Sequence, residues 1–294
     1  MFLRMRIAIS AQAGWCRAAA ALAVVQARRL PRRSTAVLVV AVLATTPGAT
    51  TGAAAPAAAA VARPVAAAAA LQGWAAGGVQ EPWPGASGPA PAPGPVAEPR
   101  VLARAAVLAD ESTGQVLFER SARQPRPMAS TTKVMTALLT LERLDQRRVV
   151  VIGAGPPRVG EESLRLRQGE RLTVRQLLLG LLVKSANDAG VALAEAVDGG
   201  EAAFVRRMNR RAAALRLGAT HFVTPYGLDR PGHQTSARDL ARLWETAMRR
   251  ADFRALVATR EARLPGGPPR LRRFVSSNQL LGAYRWTVGG KTGF

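Results

Sequence analysis

The chain has 294 residues, with 41 Lys plus Arg against 19 Asp plus Glu and a formal net charge of +22. Such a balance raises nucleic-acid binding, but the arginines are spread along the chain rather than clustered, and aromatic residues make up only 5%. Base stacking has little to work with, so nucleic acid is excluded as a partner. The single cysteine, Cys16, lies near the start, which excludes a disulfide framework and thiol chemistry downstream.

In chain order, residues 1–55 read as a signal-peptide region. Arg28, Arg29, Arg32 and Arg33 precede an apolar run from Ala36 to Ala44, and Ala53-Ala54-Ala55 suits a signal peptidase. Basic region, apolar core and small-residue cleavage site are the order of an export signal, and the run is too short to span a bilayer. Residues 56–100 are rich in Ala, Pro and Gly. Such a segment cannot bury enough surface to offset its ordering entropy, and its prolines make it a semi-extended tether. The folded domain is expected over 101–294.

That domain opens with a hairpin: Ala105–Asp110 and Gln115–Glu119 flank Glu111-Ser112-Thr113-Gly114, with Gly in the turn. A helix beginning near Ser130 places Val134, Ala137, Leu138, Leu141 and Leu144 on one stripe. Thr173-Val174-Arg175-Gln176 has the form of a capping box and announces a helix through Leu182. Another runs from Asn187-Asp188 to Val197. A longer one buries Phe204, Met208, Ala212 and Leu215 and stops at Gly218. Ser236 caps a further helix with Leu240, Leu243, Trp244 and Ala247 on its inner side. Strands are expected at Leu271–Val275 and Tyr284–Val288. Strands first, helices in the middle and strands last predict an α+β fold whose two ends pair in one sheet.

Among the 41 basic residues only Lys133, Lys184 and Lys291 are lysines. Arginine keeps its proton, whereas a buried lysine can lose it and presents a compact ammonium. The surroundings are Ser130-Thr131-Thr132-Lys133, Lys184-Ser185-Ala186-Asn187 and Lys291-Thr292-Gly293: an S-x-x-K, an S-x-N and a K-T-G element in the order of an acyl-serine site. Ser130 at a helix start meets free backbone N–H groups and the positive dipole end. Lys133, about one turn on, shares its face. It can take the serine proton only if burial and a neighbouring cation such as Lys291 lower its pKa. Gly289-Gly290 ahead of the third element would let a ligand backbone approach. His221 and His233 have no ligand partners at metal spacing, so no metal and no cofactor is expected; His233 reads as a hydrogen-bonding scaffold.

Beyond these elements, the text includes Asp110–Gly114, Met128–Thr136, Leu181–Ala189, Phe204 with Met208-Asn209, Thr224-Pro225-Tyr226-Gly227-Leu228 and Thr235–Ala241. From Ala105 to Phe294 the chain resembles the serine-type D-Ala-D-Ala carboxypeptidases, the low-molecular-mass penicillin-binding proteins. The resemblance implies a β-lactamase/transpeptidase-like α+β fold, an antiparallel sheet flanked by helices with the site at its edge. It implies Ser130 as acyl-enzyme nucleophile and Lys133 as its base, with Ser185 relaying a proton to the leaving amine. Asn187 would hold the substrate backbone and Lys133, and Lys291, Thr292 and Gly293 would bind the terminal carboxylate end. Phe294 would offer a backbone N–H to the oxyanion hole, and Lys184 would be structural. The substrates would be peptidoglycan stem peptides and the inhibitors β-lactam antibiotics, in an exported protein of the cell wall or the outer membrane face, with membrane association open to it. The family continues past the third element with more strands and a closing helix, so the resemblance implies a C-terminally truncated chain. Class A β-lactamases share the three elements but carry Asp where Ala186 stands, and a Glu-bearing loop of which no copy is found. A D,D-endopeptidase of the same family, or a wall-associated penicillin-binding protein with little turnover, are the alternatives.

Overall fold

A computed structural model describes residues 8–11, 41–44, 99, 101–111, 114–265, 271–285 and 287–293. Its strands are β1 (Ala8–Ala11), β2 (Ala41–Ala44), β3 (Ala106–Ala109), β4 (Val116–Arg120), β5 (Arg126–Pro127), β6 (Val149–Val151), β7 (Arg171–Thr173), β8 (Gln234–Thr235), β9 (Glu261–Pro265), β10 (Leu271–Val275) and β11 (Thr292–Gly293). The longer helices are α1 (Lys133–Arg143), α2 (Val174–Leu179), α3 (Asn187–Asp198), α4 (Glu201–Ala214), α5 (Ala237–Met248) and α6 (Ala251–Val257). Except for β1, β2 and residue 99, the expected signal region, the tether and Cys16 lie outside the described residues, as does Phe294.

The α+β character expected from the sequence is present. The hairpin β3–β4 forms with a register shift between Leu108 and Ala109, and Gly114, at φ 71°, closes its turn by donating to the Asp110 carbonyl at 2.8 Å. Pairs β5–β8, β6–β7 and β9–β10 are likewise antiparallel. The expected joining of the hairpin to the C-terminal strands in one ladder is not seen among the described residues. Instead β11 pairs with β1, and β1 with β2, all parallel. No short turn links these segments, so nothing local imposes an antiparallel direction. Among the described residues of the expected strand Tyr284–Val288 no strand is found: Thr287 N–H donates to the Tyr284 carbonyl at 3.0 Å and closes a turn.

Helix α1 runs through the middle of the helical layer, buried from Lys133 to Leu141. The predicted stripe accounts for its apolar side. Its buried threonines survive because each hydroxyl finds an acceptor: Thr136 donates to the Pro225 carbonyl at 2.5 Å and Thr140 to the Thr136 carbonyl at 2.8 Å. Around α1 pack Leu177, Leu181, Leu193, Phe204, Met208, Leu240, Trp244 and Phe253. Trp244 and Phe253 meet edge to face at 5.5 Å, a favoured aromatic geometry.

Capping fixes the helix starts where the sequence placed them. Thr173 Oγ1 accepts from Gln176 N–H at 3.2 Å while Gln176 Oε1 accepts from Thr173 N–H at 2.8 Å, and Ser236 Oγ accepts from Asp239 N–H at 3.1 Å. Helix α4 ends before the expected Gly218. Arg216, at φ 55°, takes the left-handed position, with Arg216 N–H donating to Ala213 and Leu217 N–H to Ala212. That is a Schellman ending made without glycine. Helix α2 continues as a π-helical turn, Gly180–Lys184, of the kind that gathers at functional sites.

Candidate active site

Ser130 sits in a 3-10 turn, Ala129–Thr132, that leads directly into α1. Lys133, the first residue of α1, is fully buried. Its Nζ lies 2.8 Å from Ser130 Oγ, 2.8 Å from Asn187 Oδ1 and 2.5 Å from the Tyr226 carbonyl. The Asn187 amide is oriented by its own Nδ2, which donates to the Gly160 carbonyl at 3.3 Å. A neutral amine has two N–H groups and one lone pair. Asn187 Oδ1 and the Tyr226 carbonyl accept only, so they take the two protons and leave the lone pair facing the Ser130 hydroxyl. Burial, and next the charge of Lys291, hold the Lys133 pKa well below the usual lysine range, against an opposing pull from Glu162 and Glu161.

Ser185 ends the π-helical turn in the left-handed conformation, at φ 68° and ψ 27°. The Ala186 N–H donates back to the Gly180 carbonyl at 3.0 Å, so the widened turn swings Ser185 out of the helical path. Its Oγ accepts from Lys291 Nζ at 3.0 Å, and Lys291 also donates to the Thr292 carbonyl at 2.6 Å. Lys291 is 1% exposed, and burial brings its pKa down to about 7, with Glu162 pulling the other way. The site therefore holds two serine–lysine pairs, Ser130 with Lys133 and Ser185 with Lys291, and Asn187 is bonded to the first.

Thr292 is partly exposed, with its hydroxyl 2.6 Å from Ser277 Oγ, and Gly293 is buried in β11. One expectation about the glycines is corrected. A Cβ on Gly289 would come within 2.6 Å of the Val257 side chain, so this glycine lets the segment ahead of β11 lie close on α6 rather than admitting a ligand. Lys184 forms a partly exposed ion pair with Glu162 at 2.6 Å.

Several contributors went unseen in the sequence. The Tyr226 carbonyl is a backbone group with no side-chain signal. Loop 160–166 is clamped to the start of α3 by buried Asp188. Its Oδ2 accepts from Ser163 Oγ at 2.6 Å and Leu166 N–H at 3.1 Å, and its Oδ1 from Leu164 N–H at 3.0 Å. The Asn187 N–H donates to the Glu162 carbonyl at 2.7 Å. An acidic residue directly after Asn187 at a helix start was the available clue.

Chemically, this is a hydroxyl beside a desolvated amine that an amide oxygen also holds, and a second hydroxyl on a buried lysine whose pKa is lowered. It suits acyl transfer through a serine ester.

Comparison with known proteins gives the same direction. A family model described as D-alanyl-D-alanine carboxypeptidase matches residues 93–294. D-alanyl-D-alanine carboxypeptidase DacF of Bacillus subtilis is 34% identical over 197 residues, covering 65% of this chain and 51% of that protein. A D-alanyl-D-alanine endopeptidase of Escherichia coli is 31% identical over 202 residues, 67% of this chain and 64% of the relative. The crystal structure of a D-alanyl-D-alanine carboxypeptidase from Mycobacterium tuberculosis superposes with a TM-score of 0.62 at 36% identity, over 65% of this chain and 72% of that one. The chain thus spans between about half and two thirds of the length of these curated relatives.

Proposed function

The chain belongs to the D-alanyl-D-alanine carboxypeptidase family, Peptidase S11, and from that premise we propose that it is a serine D,D-carboxypeptidase. It removes the terminal D-Ala from peptidoglycan stem peptides. The observation that carries this reading is the buried Lys133 amine, 2.8 Å from Ser130 Oγ and held there by Asn187 Oδ1 and the Tyr226 carbonyl.

Lys133 takes the Ser130 proton as Oγ attacks the carbonyl of the penultimate D-Ala. The negative charge developing on that oxygen is met by the Ser130 N–H and by the N–H of Phe294. Collapse breaks the C–N bond. The proton that Lys133 took from Ser130 passes through Ser185 to the leaving amine, which departs as D-Ala and leaves Lys133 neutral again. Water, deprotonated by Lys133, then attacks the ester, restoring Ser130 and releasing the shortened peptide. Asn187 aligns the substrate backbone and Lys133. The Lys291 ammonium, Thr292 and Gly293 bind the terminal carboxylate, a cation and a short hydroxyl suited to one charged end. β-Lactams would acylate Ser130 by the same attack, and the ring's amine, still tethered, cannot leave.

This chemistry belongs outside the cytoplasm, where stem peptides are. We assign 1–55 to export, 56–100 to a tether and 101–294 to catalysis, with the domain working in the wall or at the outer membrane face. Among the described residues no helix is long and apolar enough to cross a membrane.

The test is covalent labelling with a fluorescent penicillin together with mass spectrometry of a pentapeptide substrate. The chain is expected to label and to release one D-Ala, and Ser130→Ala to do neither; labelling that survives Ser130→Ala removes the assignment. Similarity to an endopeptidase favours cross-link cleavage as a second reading, and products from a cross-linked dimer separate the two. Labelling without product would leave a penicillin-binding protein with little turnover.

A further inference from the structure

His233 is 101 residues from Thr132 in sequence, yet its buried ring closes on the turn that carries Ser130. Its Nδ1 accepts from the Val223 N–H at 2.9 Å, so that nitrogen holds no proton. The ring proton is on Nε2, which lies 2.7 Å from Thr132 Oγ1, and the Thr132 hydroxyl donates onward to the Ala129 carbonyl at 2.8 Å. One directed chain of bonds therefore runs from the Val223 backbone through the imidazole and Thr132 to the residue preceding Ser130.

That turn needs holding. Ala129 has φ 45°, a region that residues with a Cβ avoid and occupy only when their surroundings over-determine it. Gly227, at φ 95°, packs so close to the Ala129 carbonyl and the Thr132 side chain that no Cβ would fit. Thr132 and Ala129 bracket the segment that sets the 2.8 Å separation between Ser130 Oγ and Lys133 Nζ.

We propose that His233 is a positioning residue for acyl transfer: as a neutral imidazole bonded to Thr132, it holds the strained Ala129–Thr132 turn so that Ser130 stays on Lys133. The proposal rests on the reading of Ser130 as nucleophile. Protonation would put an N–H at Nδ1 against the Val223 N–H, donor facing donor, and would push the ring off Thr132. The groups acting electrostatically on the ring are His221 and Lys133, both of which oppose an imidazolium, and its other near neighbour is the edge of Phe222 at 6.2 Å.

The experiment measures acylation of the full chain by fluorescent penicillin, resolving affinity from the limiting rate, in the parent, His233→Leu, His233→Gln, Thr132→Val and the His233→Leu/Thr132→Val double variant. A misplaced reacting atom costs up to ~10²-fold, so His233→Leu and Thr132→Val should each slow the limiting rate by about 10- to 100-fold with affinity little changed. His233→Gln, which retains a donor and an acceptor, should recover most of the rate. The double variant should be no slower than the slower single, because both break one chain of bonds. Multiplying losses, or a normal limiting rate in Thr132→Val, would overturn the proposal while leaving Ser130 labelled. Should His233→Leu fail to melt cooperatively, His233→Gln and Thr132→Val decide alone. A parent chain that takes no label overturns the nucleophile reading and this proposal with it.

Discussion

At the scale of single residues, the site turns on which lysines are neutral. Lys133→Arg preserves charge but supplies a group that cannot act as a base. Acylation should fall by at least ~10²-fold, the usual worth of general-base catalysis. Lys184→Arg should leave the rate unchanged, because Lys184 meets Glu162 at the surface and none of the reacting groups; the labelling rate of the two variants side by side is the check. Lys291 gives a pH signature. The carboxylate-binding role proposed for it needs the charged form, and burial brings its pKa in the free chain down to about 7. Lys133 must instead lose its proton to react. The rate of labelling at low penicillin concentration should therefore be bell-shaped, with macroscopic limbs that belong to the coupled pair. Lys291→Arg, permanently charged, should carry the descending limb out of range, and a limb that stays in place would show that another group sets it.

At the scale of elements, the second motif depends on two features of the backbone. The π-helical turn Gly180–Lys184 aims Ser185 at Lys291, and Asp188 clamps loop 160–166 against the start of α3. Asp188 is buried and its carboxylate takes two loop N–H groups, a hydroxyl and the Ala189 N–H. Asp188→Asn replaces an acceptor oxygen by an NH2 that faces donors. The expected cost is about 1–3 kcal/mol of stability, the range for an unmatched buried polar group, read from the denaturant midpoint at constant slope. Loop 160–166 also supplies the Asn187 amide with its partner at Gly160, so the same variant should slow acylation. A variant as stable and as fast as the parent would show the clamp to be idle.

At the scale of the whole molecule, buried bases make stability depend on pH. His233 has a pKa lowered to about 4, chiefly by burial and further by His221 and Lys133. Between pH 4 and about 6.5 the unfolded chain binds the proton and the folded chain does not, so stability rises with pH across that window, by roughly 3 kcal/mol at full effect. Lys291 acts with the same sign at higher pH. Between about pH 7 and its ordinary value near 10.5, the unfolded chain again binds more protons, and stability rises further with pH. Melting temperatures of the parent and His233→Gln from pH 4 to 7 isolate the first effect: the difference between them should shrink or reverse towards pH 4, and parallel curves would show that His233 does not titrate with folding.

The sequence by itself determined the hairpin, the helices with their caps at Thr173 and Ser236, the core stripe of α1, and the pairing of Ser130 with Lys133. These are local: helical periodicity puts residues three and four apart on one face, and a cap is satisfied within its own turn. Only the tertiary structure decided the rest. It lowered the pKa of Lys133 by burying it beside Lys291, replaced a regular helix end by the π-helical turn behind Ser185, and set Gly289 against Val257. It also brought the Tyr226 carbonyl, the Asp188 clamp and His233 to the site, groups contributed by distant segments and in part by backbone atoms that every residue shares. The expected strand at Tyr284–Val288 failed for a related reason: strand formation depends on the neighbour that lies alongside more than on the segment's own residues. Desolvation and long-range contact are properties of the packed chain, and no spacing along the sequence encodes them.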